Sequence, residues 1–247
     1  RLLGMAEMIE VHRLAPAGAA RAWAAWTGSW PGHGLRQRVW HDEDVAPLVR
    51  RAFPSLAPRI LALRSLVERL DIARLAIMYL HGGVYADLDM ELRSAPLLRC
   101  AVRLRRVILP FEVGRLIGQS ILISPPRQPF WRELSARLVR GYNKSCYEPM
   151  NTGPDAITRV WNEHYGICGT SRSVAGGADV LIVDGFTQGP VTFHHLTGSW
   201  RKGESIARRR GERGCTFVRQ HLRLRPRCTL VLNFTFDFAR RMKCPGV

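Results

Sequence analysis

No C-x-x-C pair occurs among the six cysteines, Cys100, Cys146, Cys168, Cys215, Cys228 and Cys244, so the spacing of a structural zinc site is missing. Their even number permits disulfides, and buried free thiols explain them equally well. No apolar run reaches the roughly 18 to 20 residues that span a bilayer, and no charged start with an apolar centre marks a signal peptide. The chain opens on Arg1 rather than methionine, so a missing upstream anchor or targeting segment is an open expectation. Internal repeats, low-complexity tracts and linkers are also lacking, which leaves one α/β domain as the plainest organisation.

Acidic residues are few. Against 37 Lys and Arg there are 20 Asp and Glu, a formal net charge of +17. That balance attracts polyanions, anionic membrane surfaces or phosphate-bearing substrates. Arginine is densest between Arg208 and Arg227, a solvated surface or a contact for phosphates or lipid head groups. Aromatic residues do not interleave with it as in a stacking platform, and neither zinc-finger spacing nor an RRM-like signature occurs. A nucleic-acid binder therefore has only the net charge in its favour.

What is present is a core-forming pattern, with 46% hydrophobic residues over 247 positions. "MIEVHRL" (8–14) reads as a first strand and "AGAARAWAAWTGSW" (17–30) as a helix closing near Gly28. "LRQRVWH" (35–41) follows as a strand and "DEDVAPLVRRAF" (42–53) as a helix with an acidic first turn. "RSLVERLDIARLAIMYL" (64–80) is a long apolar helix ending in the breaker His81-Gly82-Gly83 before the short strand "VYA" (84–86). Downstream, strands are expected in "RVILPFEV", "GQSILISPP", "ADVLIVD", "GPVTFHHL" and "TLVLNF", and helices in "QPFWRELSARLVRGY" and "GPDAITRVWNEHY". The alternation predicts a single domain with a largely parallel or mixed central sheet flanked by helices.

The chemistry concentrates after the glycines. Asp87 and Asp89 flank Leu88, and strand alternation would point both carboxylates the same way. A divalent cation with oxygen ligands, Mn²⁺ or Mg²⁺, would relieve their repulsion and bridge them to a diphosphate. Asp42-Glu43-Asp44 has the same spacing, and there a helix N-terminus explains it fully. The pattern alone is therefore weak, and its setting separates Asp87 and Asp89 from the control. Asp71 and Arg74 lie three residues apart on the preceding helix, as a local ion pair or as a grip on sugar hydroxyls and phosphate. Gly82 and Gly83 serve either as plain helix caps or as a place where backbone approaches a ligand.

The series "D-x-x-R", "GG-x-Y-A-D-x-D" from Asp71 to Asp89 resembles the sugar-binding DxD region of glycosyltransferase family 32, the group that includes inositol phosphoceramide mannosyltransferases and α-1,4-galactosyltransferases. "SWPGHGLRQRVWHDEDVAPLVRRAFP", "SPPRQPFW", "NTGPDAIT" and "HHLTGSW" resemble its other signatures in order, so the likeness runs from about Trp23 to Trp200. The chain departs from the family pattern at "AEMIEVHRL", Leu70, Leu75 and Gln119.

The resemblance implies a GT-A-like catalytic domain over 1–204, with 205–247 as a basic segment packed on it. It implies a metal-dependent, retaining transfer of mannose or galactose from GDP-mannose or a UDP-hexose to a glycan or glycolipid. Asp87 and Asp89 would hold the metal, with Asp89 preferred as direct ligand, and Asp71, Arg74, Gly83 and Tyr85 would bind the donor. His195, Ser199 and Trp200 would belong to a closing loop, His195 toward the metal and the other two toward the donor. Asp155 is a nucleophile or acceptor base by position, or simply a helix N-terminal aspartate. The implied setting, for a eukaryotic chain with a missing N-terminal anchor, is the lumenal side of a Golgi or other secretory membrane, with peripheral membrane contact and no nucleic acid; for any other source the compartment is left open. A degenerate nucleotide-binding relative is the alternative.

Overall fold

The computed structural model describes residues 8–15, 27–32, 34–112, 116–144, 146, 151–165, 180–184, 186–196 and 232–233. The helix expected over 17–30 lies almost wholly outside them, as do the arginine-rich segment, Ser199 and Trp200.

Strands β1 (Ile9–Leu14), β2 (Leu35–Trp40), β3 (Gly83–Ala86), β5 (Val107–Glu112), β7 (Ile121–Ser124), β8 (Val180–Asp184) and β10 (Leu232–Asn233) form one sheet in the order β10-β8-β5-β7-β3-β1-β2. Strand β6 (Leu116–Ile117) is added beside β5. Strand β7 runs antiparallel to both its neighbours, β3 and β5, and the remaining pairs on that path are parallel. The sheet is thus mixed, as expected, and β3 and β5 end at the same edge. A second sheet, β4 (Met90–Leu92) against β9 (Thr192–His194), stands beyond that edge. Leu232 and Asn233 pair in parallel with Val183 and Asp184 of β8.

Two apolar layers hold the sheet. On one face Val49, Ile72, Ile77, Phe130 and Trp131 pack beneath helices α1 (Asp42–Ala52), α3 (Leu66–His81) and α5 (Pro129–Arg140), together with α6 (Pro154–His164). On the other, Val11, Trp30, Val84, Leu98 and Ile108 pack beneath α4 (Ala95–Arg103). Helix α3 is buried around most of its circumference, so it reads as apolar on all sides rather than as a stripe. Its start is a capping box: Ser65 Oγ accepts from the Glu68 N–H, and Glu68 Oε2 accepts from the Ser65 N–H, both at 3.1 Å. Helix α4 and the short α2 (Ala57–Leu61) lack counterparts in the sequence reading. Both carry a proline in the first turn, and α4 carries a Ser94 cap as well. Among the described residues no helix is long and apolar enough to cross a membrane.

Gly82 and Gly83 have φ of +66° and +77°, a region that L side chains rarely enter. A Cβ on Gly82 would stand 2.5 Å from the Pro126 nitrogen, and one on Gly83 2.6 Å from the Glu10 carbonyl oxygen. Both glycines let α3 turn into a strand pressed between two others.

Candidate active site

Strand β3 stops at Ala86, and Asp87, Leu88 and Asp89 form a turn in which the Met90 N–H donates to the Asp87 carbonyl at 3.1 Å. The two carboxylates therefore converge through a turn and not through strand pleating. The turn is fixed from below. The Arg13 guanidinium, at the end of β1, donates through Nη1 to the Asp87 carbonyl at 2.6 Å and lies 4.6 Å over the Trp30 ring. Trp30 Nε1 donates to the Met90 carbonyl at 2.7 Å, and the Leu92 N–H donates to Ser29 Oγ at 2.9 Å. Burial pulls Arg13 down to about 10, with Asp87 and Asp89 opposing the fall, so it stays cationic at neutral pH.

Each aspartate has its own counter-charge. Asp87 Oδ1 lies 3.2 Å from Arg74 Nη1 and accepts from the Tyr85 hydroxyl at 2.7 Å. Arg74 also donates through Nη1 to the Gln119 carbonyl at 3.0 Å, and its Nη2 lies 3.2 Å from Asp71 Oδ1. Asp71 in turn accepts from the Thr152 hydroxyl at 2.8 Å. Burial raises Asp71 to about 6 while Arg74 and Thr152 pull the other way. Burial opposes the Arg74 charge as well, yet Asp87, Tyr85 and Asp71 hold it above the ordinary arginine value.

Asp89 Oδ1 lies 3.3 Å from His194 Nε2. Pairing of β4 with β9 sets Met90 opposite His194, which is how a residue a hundred positions away arrives here. Burial works against a charged His194, and the hydrogen bond and charge of Asp89 outweigh it, raising its pKa. Asp87, Asp89 and His194 each offer a ligand atom, all within 4.8 Å of one another, a group able to hold a divalent metal.

Among the expected site residues, Asp71, Arg74, Tyr85, Asp87 and Asp89 come together. His195, one residue past the end of β9, has its Nε2 3.0 Å from Glu91 Oε2 and is not part of the group that Asp87, Asp89 and His194 form. Gly83 stands at the far end of β3 from Asp87, against Glu10. Asp155 opens α6, three residues after Thr152. Ser199 and Trp200 lie outside the described residues. Arg13, Trp30, Thr152 and His194 were not singled out as site residues. Trp30, Thr152 and His194 do lie inside the signatures "SWPG", "NTGPDAIT" and "HHLTGSW", whereas Arg13 carries no such signal.

Residues 35–101 match the family described as glycosyltransferase sugar-binding region containing DXD motif. The chain is 29% identical over 133 residues to inositol phosphoceramide mannosyltransferase 2 of Schizosaccharomyces pombe, a match that covers 51% of this chain and 37% of that protein. It thus spans little more than a third of that curated relative. Among solved structures, the PaToxG glycosyltransferase aligns with a TM-score of 0.42 at 13% identity, covering 65% of this chain and 72% of that one. The ligand-free glycosyltransferase domain of the YGT toxin aligns at 0.33 and 12% identity, covering 49% and 38%. The DxD turn, with Asp71, Arg74 and Tyr85 around it, falls inside the matched segment, so this part of the chain is similar to the glycosyltransferase sugar-binding region that contains the DXD motif.

Proposed function

We propose that this protein is a metal-dependent hexosyltransferase that passes mannose or galactose, with retention, from GDP-mannose or a UDP-hexose to a hydroxyl of a glycan or glycolipid. The observation that carries this reading is the convergence of Asp87, Asp89 and His194 within 4.8 Å at the end of β3, beside the Asp71–Arg74 pair. The mannosyltransferase relative supports mannose as donor sugar and a glycolipid as acceptor.

Bound Mn²⁺ or Mg²⁺ would neutralise charge developing on the leaving diphosphate. In this reading Asp87 and Asp89 hold that cation, with a histidine of the 194–195 pair as a further ligand. Arg13 and Trp30 keep the Asp87–Met90 backbone in place, so the carboxylates need not reorganise as charge develops. Asp71, its geometry fixed by Thr152, accepts from donor-sugar hydroxyls, and Arg74 neutralises the carboxylates around it. Asp155, Gly83, Ser199 and Trp200 remain candidates by family position. Cys100 and Cys146 are both disulfide-bonded, which supports an oxidising compartment such as the secretory lumen.

A thermal-shift and calorimetric panel of UDP- and GDP-sugars, with and without Mn²⁺, tests the reading. Stabilisation by one nucleotide sugar that requires Mn²⁺ is the expected result. Equal binding of every nucleotide with and without the ion would overturn it.

A further inference from the structure

Strand β5 runs parallel to β3 across the antiparallel β7, so its last residue, Glu112, reaches the same sheet edge as Asp87. The carboxylate is held there by design of the backbone around it. Ser120 Oγ donates to Glu112 Oε1 at 2.6 Å, and the Ser120 N–H points to the same oxygen at 3.4 Å. The Ser120 carbonyl accepts from the Asp87 N–H at 2.8 Å, and the neighbouring Gln119 carbonyl accepts from Arg74 at 3.0 Å. One buried three-residue segment, 118–120, therefore ties Glu112 to the DxD turn and to Arg74.

Gly118 completes the seat. Its φ is not in the left-handed region, so conformation does not demand glycine. A Cβ at 118 would meet the carboxyl end of the flexible Glu112 side chain, which would have to move aside. Both Ser120 contacts fall on Oε1, and among the described residues no hydrogen bond falls on Oε2. Ser120, which donates to Glu112, accepts from the Asp87 N–H, and the adjacent Gln119 accepts from Arg74, so the Glu112 carboxylate stands one residue away from the Asp71–Arg74–Asp87 cluster. A carboxylate only accepts and repels phosphate, and the hydroxyls of a sugar are the donors a nucleotide sugar offers it.

We propose that Glu112 is a specificity-determining residue whose free carboxylate oxygen accepts a hydrogen bond from one hydroxyl of the donor hexose. This rests on the hexosyltransferase reading of the site. A site built to pair a hydroxyl discriminates strongly against a sugar that lacks it, because the carboxylate is then left unpartnered.

The test uses the whole chain with Mn²⁺ and either UDP-galactose or GDP-mannose, whichever the wild type hydrolyses, together with its monodeoxy analogues. Wild type should lose about 10- to 100-fold in kcat/KM on one monodeoxy donor. Glu112→Gln should lose a similar factor on the full sugar and nothing further on that same analogue, with donor hydrolysis and transfer falling together. Gly118→Ala, which pushes the flexible carboxylate aside while leaving the strand intact, should reproduce this without a change in Tm. If Glu112→Gln lowers transfer but spares hydrolysis, the carboxylate serves the acceptor and the proposal falls. Wild-type kinetics with every donor would reduce Glu112 to a partner for Ser120 and overturn it too. Should the wild type bind neither nucleotide sugar, the hexosyltransferase reading itself fails, and the inference with it.

Discussion

Arg74 and Asp87 are joined at 3.2 Å across the end of β3, and the same guanidinium reaches Asp71 at 3.2 Å on its own helix. A local i,i+3 pair is thereby extended into the DxD turn. The ion pair, one of the two alternatives from spacing alone, is present and reaches the DxD turn. Asp87 and Asp89 have separate partners, the Arg74 guanidinium for one and the His194 ring for the other.

Asp87→Asn and Asp89→Asn are expected to lower transfer by at least about 100-fold under saturating Mn²⁺, with Tm little changed. Asp42→Asn is the control, because Asp42 lies in the first turn of α1 and its loss should cost about 1 kcal/mol or less with activity retained. Steady-state kinetics beside melting curves decide the matter, and near-normal turnover in either DxD variant removes the metal assignment.

Substitutions at Asp71 and Arg74 should separate stability from turnover. Asp71→Asn keeps a partner for Thr152 and removes a charge that burial disfavours, so Tm should hold or rise while transfer collapses. Arg74→Met leaves two carboxylates without their shared cation and should cost about 3 to 5 kcal/mol. Denaturant titration of the two variants checks both, and equal losses of stability would make the pair scaffolding.

The two adjacent histidines offer a direct comparison. His194→Ala should weaken Mn²⁺ binding by at least about tenfold, whereas His195→Ala, losing its contact to Glu91, should change it little. Mn²⁺ binding followed by electron paramagnetic resonance reads this without any turnover, and the reverse order would return the metal to His195.

Stability should fall with acid through His12. This imidazole is buried, accepts from Trp40 Nε1 at 3.2 Å, and has His81, Arg38 and Arg36 as charged or titratable neighbours, with Glu10 3.8 Å away. Burial, chiefly, and then His81 and Arg38 lower it to about 3 from an ordinary 6.5. Because the unfolded chain takes up its proton first, the contribution is complete above pH 6.5 and is lost as pH falls toward 3, by about 1.4 kcal/mol per unit. His12→Asn, which still accepts from Trp40, should flatten the acid limb of a stability profile measured between pH 7 and 4.

Much of the architecture could be read from local pattern. The branched strands, the long apolar helix ending at paired glycines, and the proline starts of α5 and α6 follow from backbone preferences carried by neighbouring residues. Local sequence also set Asp71 one turn from Arg74 and put Asp87 and Asp89 just past a strand, so the centre of the site was legible. Helix α4 was overlooked even though Ser94 and Pro96 announce it, since its short apolar run has no long periodic stretch.

The remaining members of the site depend on register and on contacts between distant segments, which no local preference encodes. His194 rather than His195 meets Asp89 because β9 pairs with β4 in one register, and a slip of a single residue would exchange them. Arg13, Trp30 and Thr152 look like an ordinary strand end, a lead-in and a loop until the sheet closes around the DxD turn. The nearness of Gly118 to the Glu112 carboxylate, which a Cβ there would displace, is likewise set only by the packing of distant segments. Residue type and spacing thus determined that two carboxylates would be presented beyond β3, and tertiary packing decided which cations and hydroxyls answer them.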